Sequence, residues 1–309
     1  MNMPRRKNRV NRPRTAGGRI TSAAVILISI AVPSLWPQER TSMSAGKSGY
    51  AHVNGLSLYY EIHGSGIPLI VLHGGLGSTE MFADMLPSLA KTRQVIAADL
   101  QAHGRTADID RPLSIEAMAD DIAGLVRELR IERADVLGYS LGGGVALQMA
   151  IRHPDRVRRL VLISTPFARN GWFPEVLTAM SQMRPASAEL MKPSPIYRAY
   201  ARSAPRPQDW PVLVGKVGNL TRKDYDWSKQ VAMITSPALI VFGDADAVRP
   251  EHMTEFFHLL GGGKKDGGLD GSGRSNARLA ILPGMTHYDI LSSPVLGAII
   301  TGFLDAQMR

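Results

Sequence analysis

The sequence predicts an α/β fold with a doubly wound, mostly parallel sheet and an inserted helical cap. From Tyr50 onward, short β-rich runs alternate with stretches that have helical periodicity. Several of these runs are apolar throughout, which is typical of parallel strands that are buried on both faces. A region at about 166–236 interrupts the alternation and is rich in Pro, Met, Trp and Tyr. Alternating strands and helices indicate a doubly wound sheet, and the interruption indicates a lobe inserted between two of its strands.

The strands follow one another at intervals that leave room for helices between them. The first is expected near Tyr50, and the next, Leu56–Ile62, has one apolar and one polar face. The later strands are short and apolar, and are expected at Pro68–Leu72, Val95–Ala98, Asp135–Gly138, Leu160–Ile163, Leu239–Phe242 and Leu279–Leu282.

The helices between these strands have recognisable starts. Ser114 is placed to cap a helix that runs to Leu129 with apolar residues at helical spacing. Further helices are expected at Leu141–Arg152, Pro250–Leu260 and Pro294–Gln307. The Gly-rich stretch at 261–276 lacks the strand-to-helix context of a dinucleotide or phosphate site, so it predicts a flexible loop and no cofactor.

Composition excludes several classes of protein. The chain has 309 residues, 44% of them hydrophobic, which is enough for one large domain. The first 49 residues hold nine Lys or Arg and one acid, so they carry almost all of the net charge of +9. The near-neutral remainder offers no field for nucleic acid. Without cysteine there is no disulfide, thiolate metal site or Cys nucleophile.

Residues 1–48 differ from the rest and predict a separate N-terminal segment before a domain at 49–309. A basic run precedes Ile20–Trp36, which is uncharged and mostly apolar for 17 residues. This pattern is typical of a signal sequence or a short anchor, so export or membrane association through 20–36 is one expectation. The alternative is that translation starts at Met43, which would leave the protein cytoplasmic.

Gly138-Tyr139-Ser140-Leu141-Gly142 predicts a nucleophile elbow. The sequence G-x-S-x-G lies between an apolar strand and a helix, where a serine on a sharp turn is exposed at the edge of the sheet. The glycines let the backbone pass without a clash, and the helix N-terminus faces the developing oxyanion. Ser140 is therefore the expected nucleophile.

The base and the acid must follow the serine along the chain. Four histidines do so, and only His287 stands in a loop after the last strand; the others are His153, His252 and His258. The loop after the strand at 239–242 contains Asp244 and Asp246, either of which could orient the imidazole. Asp246 is favoured, with Asp244 as a turn or cap residue.

The loop His73-Gly74-Gly75 follows a buried strand, where an oxyanion-binding amide is expected. The expected donors are the amides of Gly75 and Leu141, the residue after the nucleophile. His73 is interpreted as a structural residue that holds backbone by hydrogen bonds.

Taken in order, these motifs resemble the α/β-hydrolase superfamily, in the capped single-domain group that includes bacterial esterases and cofactor-free haloperoxidases. The matching stretches are HGG at 73–75, DLQAHGRT at 99–106, GYSLGG at 138–143, GDADAVRP at 243–250 and GMTH at 284–287. The resemblance implies an acid three residues after the glycine, which is Asp246. It also implies that the 99–106 loop stabilises the fold. A serine at the elbow argues against the halide- and epoxide-cleaving members, which carry Asp there.

We therefore expect a cofactor-independent serine hydrolase without a metal, acting on a small, apolar carboxylic ester. Lactone, thioester or carbon–carbon hydrolysis on the same triad is the alternative, and a binding protein of low turnover on this fold is a further one. Trp and Met in the cap would either line an apolar pocket or pack the cap onto the body. The sequence leaves the oligomeric state open.

Overall fold

An eight-stranded sheet forms the centre of the computed structural model, which describes residues 46–307. The strands are β1 (Ser48–Val53), β2 (Leu56–His63), β3 (Ile67–Leu72), β4 (Arg93–Ala98), β5 (Ala134–Tyr139), β6 (Val157–Ile163), β7 (Ala238–Ala245) and β8 (Ala277–Thr286). Their spatial order is β1-β2-β4-β3-β5-β6-β7-β8. The pairs β1–β2 and β2–β4 are antiparallel and the other pairs are parallel, which confirms the predicted fold class.

Helices cover both faces of the sheet. Outside the segment between β6 and β7, the helices are α1 (Leu86–Leu89), α2 (Ile115–Glu128), α3 (Leu141–Arg152), α9 (Pro250–Leu259) and α10 (Leu296–Asp305). One apolar cluster joins α2, α3 and α9 to one face, and a second joins α1 and α10 to the other. Neighbours along β3 alternate between the clusters, since Ile70 belongs to the first and Val71 to the second. The central strands are therefore buried on both sides.

Between β6 and β7 the described chain forms five α-helices, three short 3₁₀ helices and no strand. The α-helices are α4 (Pro174–Ser181), α5 (Ala188–Met191), α6 (Pro195–Ser203), α7 (Trp210–Thr221) and α8 (Ser228–Val231). Trp210 is buried within this segment against Tyr197 and Tyr200, which gives it a small core of its own.

Two strands extend beyond their predicted ends. β7 continues to Ala245 and β8 to Thr286, and the two pair past a register shift between Gly243 and Ala245. Asp244 consequently lies in a strand, whereas the sequence placed it in a loop. Because Ala245 pairs with Thr286, the residues that follow the two strands, Asp246 and His287, lie side by side.

In the part of the chain that the structure describes, no helix is long and apolar enough to cross a membrane. The possible signal or anchor at 20–36 lies outside the described residues.

Candidate active site

Ser140 lies on a sharp turn between β5 and α3. Its backbone has φ 53° and ψ −116°, a strained conformation that a non-glycine residue keeps only where its surroundings enforce it. The amide of Ser140 donates to Ile163 O at 2.9 Å, and its carbonyl accepts the first hydrogen bond of α3, from Gly144 N. The side chain remains partly exposed. The turn therefore presents the hydroxyl at the carboxyl edge of the sheet.

Close packing explains the glycines around this turn. A Cβ atom at Gly138 would lie 2.1 Å from Gly142 O, and one at Gly142 would lie 2.3 Å from Leu72 O. Both contacts are with backbone atoms, which have little room to move away. Only glycine fits at these two positions without displacing the turn.

Ser140, His287 and Asp246 form a continuous line of hydrogen bonds. His287 Nε2 lies 3.1 Å from Ser140 Oγ, and His287 Nδ1 lies 3.2 Å from Asp246 Oδ1. His287 and Asp246 are both buried. The structure thus brings together three residues that are 41 to 147 positions apart in the sequence. A hydroxyl, an imidazole and a carboxylate in this order can activate the hydroxyl as a nucleophile.

Asp246 is held by more than the histidine. Its Oδ2 accepts from Ser164 Oγ at 2.5 Å and from Gly243 N at 3.2 Å, and its Oδ1 accepts from Val248 N at 3.2 Å. Burial raises the pKa of Asp246, but the hydrogen bonds from His287, Ser164 and Gly243 outweigh it and leave the pKa below its ordinary value. The carboxyl is therefore ionised at neutral pH.

Ser164 was not anticipated from the sequence. It follows β6, is fully buried and has φ 50°. An isolated serine after a strand carries no signal of its own, because its contact with Asp246 depends on the pairing of β6 with β7.

Asp244 faces a different environment. Its Oδ1 accepts from Gly284 N at 2.8 Å and the residue is exposed. This contact joins the ends of β7 and β8. Asp244 makes no contact of this kind with His287 among the hydrogen bonds of the described residues.

Gly75 lies next to Leu141, the residue that follows the serine in the chain. A Cβ atom at Gly75 would be 3.9 Å from Leu141 Cβ and 3.8 Å from Val217 Cγ1 of α7. Leu141 is the first residue of α3, where backbone N–H groups have no partner within the helix. The two residues are partly exposed, so their amides could receive an anionic oxygen.

His73 fixes the loop that carries Gly75. Its Nε2 accepts from Leu100 N at 3.0 Å, so its Nδ1 bears the proton and donates to Gly74 O at 2.7 Å. Burial lowers the pKa of His73 to about 3, so the ring stays neutral. Through these two contacts His73 joins the backbone at Gly74 to the backbone at Leu100.

Aromatic rings surround the imidazole of His287. Tyr139, Trp172 and Tyr288 have ring centroids 5.3 to 5.4 Å from it. Tyr139 also donates from its hydroxyl to His287 O at 2.6 Å. Three tryptophans lie in the 166–236 segment. Trp172 contacts His287, and Trp210 packs inside the segment. Trp227 lies against α3, where a Cβ atom at Gly144 would be 3.9 Å from its ring.

A cavity of about 370 Å³ opens beside the loop that carries Asp246. Phe173, Val248 and Tyr288 are among its walls, and neither Ser140 nor His287 lines it. Among residues 46–307, no group of three or more His, Asp or Glu side chains is arranged to hold a metal ion.

Sequence comparison relates the chain to known hydrolases. A family model described as alpha/beta hydrolase fold matches residues 67–205. A pimeloyl-acyl-carrier-protein methyl ester esterase of Neisseria meningitidis serogroup B is 31% identical over 259 residues, which cover 77% of this chain and 93% of that protein. A 2-hydroxymuconate semialdehyde hydrolase of Pseudomonas sp. is 38% identical over 135 residues, 42% of this chain and just under half, 47%, of that protein.

Solved structures share the fold. The crystal structure of E-2-(acetamidomethylene)succinate hydrolase has a TM-score of 0.67 at 24% identity and covers 84% of this chain and 99% of that one. A carboxylesterase from Bacillus subtilis has a TM-score of 0.66 at 20% identity, over 89% and 95% of the two chains. With the match to the esterase over nearly its whole length, these similarities establish that this chain is a hydrolase and belongs to the α/β-hydrolase family.

Proposed function

We propose that this hydrolase cleaves carboxylic esters through an acyl-enzyme on Ser140, with His287 as general base and Asp246 as the orienting acid. The observation that carries the proposal is the unbroken line of contacts from Ser140 Oγ through His287 to Asp246, at 3.1 and 3.2 Å. The strained backbone of Ser140 adds support, because such strain persists where a function requires it.

The reaction takes two displacements at one carbonyl carbon. Ser140 Oγ attacks the carbonyl while its proton passes to His287 Nε2. The C–O bond to the alcohol breaks, and the alcohol leaves with that proton. Water then attacks the acyl-enzyme, giving its proton to His287, and the acid leaves as Ser140 regains a proton. Asp246 keeps the proton of His287 on Nδ1 and stabilises the imidazolium.

The amides of Gly75 and Leu141 are the proposed oxyanion donors. Each displacement places negative charge on the carbonyl oxygen, and preorganised N–H groups stabilise that charge without rearranging. Support comes from the proximity of Gly75 to Leu141, and from the position of Leu141 directly after Ser140 at the start of α3.

We propose that the acyl part of the substrate is apolar and that residues 166–236 form a cap over the site of the 49–309 domain. Val217 of α7 and Leu141 lie within reach of Gly75, and Trp172 lies against His287. These side chains would give a carbonyl bound at Ser140 apolar neighbours. Turnover of p-nitrophenyl esters of increasing acyl length would define the pocket.

Replacing Ser140 tests the proposal. Ser140→Ala should lower turnover by about 10⁶, because loss of the nucleophile disables the triad as a unit. The wild-type enzyme should also be labelled at Ser140 by a fluorophosphonate probe, and the variant should not be labelled. An alanine variant that melts like the wild type and keeps a tenth of its rate would overturn the assignment.

The similarity to 2-hydroxymuconate semialdehyde hydrolase favours one second candidate. The triad would then act on a compound of that kind in place of an ester. Comparing kcat/KM for 2-hydroxymuconate semialdehyde with that for the best ester separates the two candidates, since the preferred class should exceed the other by more than tenfold, about 1.4 kcal/mol in transition-state binding.

A further inference from the structure

A side chain of the nucleophile elbow contacts the main chain of the base. Tyr139, the residue before Ser140, donates from its hydroxyl to His287 O at 2.6 Å. The centroid of its ring lies 5.4 Å from that of the imidazole, with the two planes at 34°. The two residues are 148 positions apart in the chain. The hydroxyl of Tyr139 therefore ties the main chain of His287 to the turn that carries the nucleophile.

The side chain of Tyr139 is itself fixed by close packing. It is buried, and a Cβ atom at Gly74 would lie 2.8 Å from its Cε1 and 2.9 Å from its Cδ1. The ring therefore lies directly against the main chain of Gly74, which leaves no room for a side chain there. Burial raises the pKa of Tyr139 above its ordinary value, so the hydroxyl keeps its proton and remains a donor into alkaline solution.

Other contacts of the turn at 286–289 hold it in shape or join it to the neighbouring strand. Thr286 N and Thr286 Oγ1 both donate to Asp289 Oδ1, at 2.7 and 2.9 Å. These bonds fix the shape of the turn, and the pairing of Thr286 with Ala245 joins it to β7. Neither contact reaches the nucleophile elbow, whereas the hydrogen bond from the Tyr139 hydroxyl does.

The imidazole of His287 is sensitive to small movements of this main chain. Its Nε2 lies 3.1 Å from Ser140 Oγ and its Nδ1 lies 3.2 Å from Asp246 Oδ1, near the long end of the range for hydrogen bonds. Because the ring moves with the main chain, a shift of His287 lengthens at least one of these contacts. Displacements of about 1 Å in reacting groups cost roughly 100-fold in rate, so a smaller shift still costs several-fold.

We infer that Tyr139 is a positioning residue for the base: its hydroxyl holds the main chain of His287 so that the imidazole lies between the nucleophile and the acid. This inference rests on the proposed role of His287. It gives the second residue of the G-x-S-x-G sequence a part in catalysis that does not require contact with substrate.

Removing the Tyr139 hydroxyl tests this role. Tyr139→Phe keeps the ring and should lower kcat about tenfold with KM within about twofold, because the imidazole is displaced while substrate contacts remain. Tyr200→Phe is the matched control, since Tyr200 is also buried and its hydroxyl also donates to a main-chain carbonyl, Arg206 O, at 3.5 Å. The control should keep kcat within about twofold. Rates are expressed per active site, counted by labelling with a fluorophosphonate probe to completion.

A double-mutant cycle separates positioning of the base from damage to the elbow. His287→Ala should keep a residual rate above that of water, since substrate binding and the oxyanion donors remain. In that background Tyr139→Phe should change the rate by less than about twofold, because the hydroxyl acts through the imidazole. Equal losses in both backgrounds would overturn the inference, as would a kcat in Tyr139→Phe equal to that of the control. Failure of Tyr139→Phe to fold would overturn it too, because the hydroxyl would then serve the fold.

The outcome is separable from that of the proposed function. If the wild type is labelled by fluorophosphonate at Ser140 but Tyr139→Phe is as active as Tyr200→Phe, positioning fails and the triad stands. If Ser140→Ala retains activity, the triad assignment fails whatever the tyrosine variants do.

Discussion

At the scale of single residues, two aspartates at the end of β7 have opposite surroundings. Asp246 is buried, accepts hydrogen bonds from His287, Ser164 and two backbone amides, and has a lowered pKa. Asp244 is exposed and accepts one bond from Gly284 N. Strand β7 ends at Ala245, between the two aspartates, and Asp246 beyond its end faces His287.

Exchanging each carboxyl for an amide should therefore have unequal effects. Asp246→Asn should reduce turnover by about 10⁴, because an amide cannot hold the imidazole in the tautomer that accepts the proton of Ser140. Asp244→Asn keeps an acceptor for Gly284 N and should retain most activity. Steady-state kinetics on one ester decides the matter, and the reverse ranking would transfer the role of acid to Asp244.

Sequence patterns predicted Ser140, His287 and Asp246, which contact one another in the structure. They did not predict Ser164, which holds Asp246. Ser140 has neighbouring glycines, and His287 and Asp246 each follow an apolar run, so local sequence is enough to predict these three residues as candidates. Ser164 has no local pattern. Its contact with Asp246 is made across the fold, between residues that are 82 positions apart.

At the scale of elements, helix α3 lies unusually close to the end of β3. A Cβ atom at Gly142 would be 2.3 Å from Leu72 O and 2.5 Å from His73 O. Two residues further on, a Cβ at Gly144 would be 3.3 Å from the side-chain tip of Ile115, which can move. The same helix thus has one position closed to any side chain and one that is nearly open.

Alanine substitutions at these two positions should distinguish the effect of backbone crowding on stability from the effect of helix propensity. Gly142→Ala should lower the free energy of unfolding by about 1–3 kcal/mol and reduce activity, because the turn at Ser140 must shift. Gly144→Ala should change stability by no more than about 1 kcal/mol in either direction, since alanine favours the helix and Ile115 can adjust. Urea denaturation of both variants gives the comparison, and equal losses would contradict the packing argument.

The centres of the elements were predictable, whereas their ends and their order were not. The apolar centre of β7 predicted a strand, but its last two residues, Asp244 and Ala245, are exposed and lie where the register of pairing with β8 shifts. Likewise, β4 lies between β2 and β3, an order that no local pattern encodes.

At the scale of the whole molecule, three buried histidines make the fold sensitive to acid. Burial lowers the pKa of His73 to about 3 and the pKa values of His103 and His252 to about 4. In the unfolded chain these groups take up protons near pH 6.5. Asp99 acts in the opposite sense, because burial raises its pKa to about 6.

Together, the pKa shifts of the three histidines and of Asp99 make the folded protein less stable in acid. Between about pH 6.5 and 4 the unfolded chain binds up to three histidine protons that the folded chain does not. Over much of this range folded Asp99 holds one proton that the unfolded chain releases. The free energy of unfolding should therefore fall by roughly 4 kcal/mol from pH 7 to pH 5. Urea denaturation at both pH values and constant ionic strength measures this difference.

Removing one histidine should remove its share of the loss. His252 accepts from Phe167 N at 3.2 Å and stacks on the Phe167 ring at 3.9 Å. In His252→Gln an amide oxygen can accept the same bond, and the side chain does not titrate. This variant should be less stable at pH 7 because the stacking is lost, yet its further loss on going to pH 5 should be smaller by about 2 kcal/mol. An unchanged pH dependence would mean that His252 is not held neutral in the folded protein.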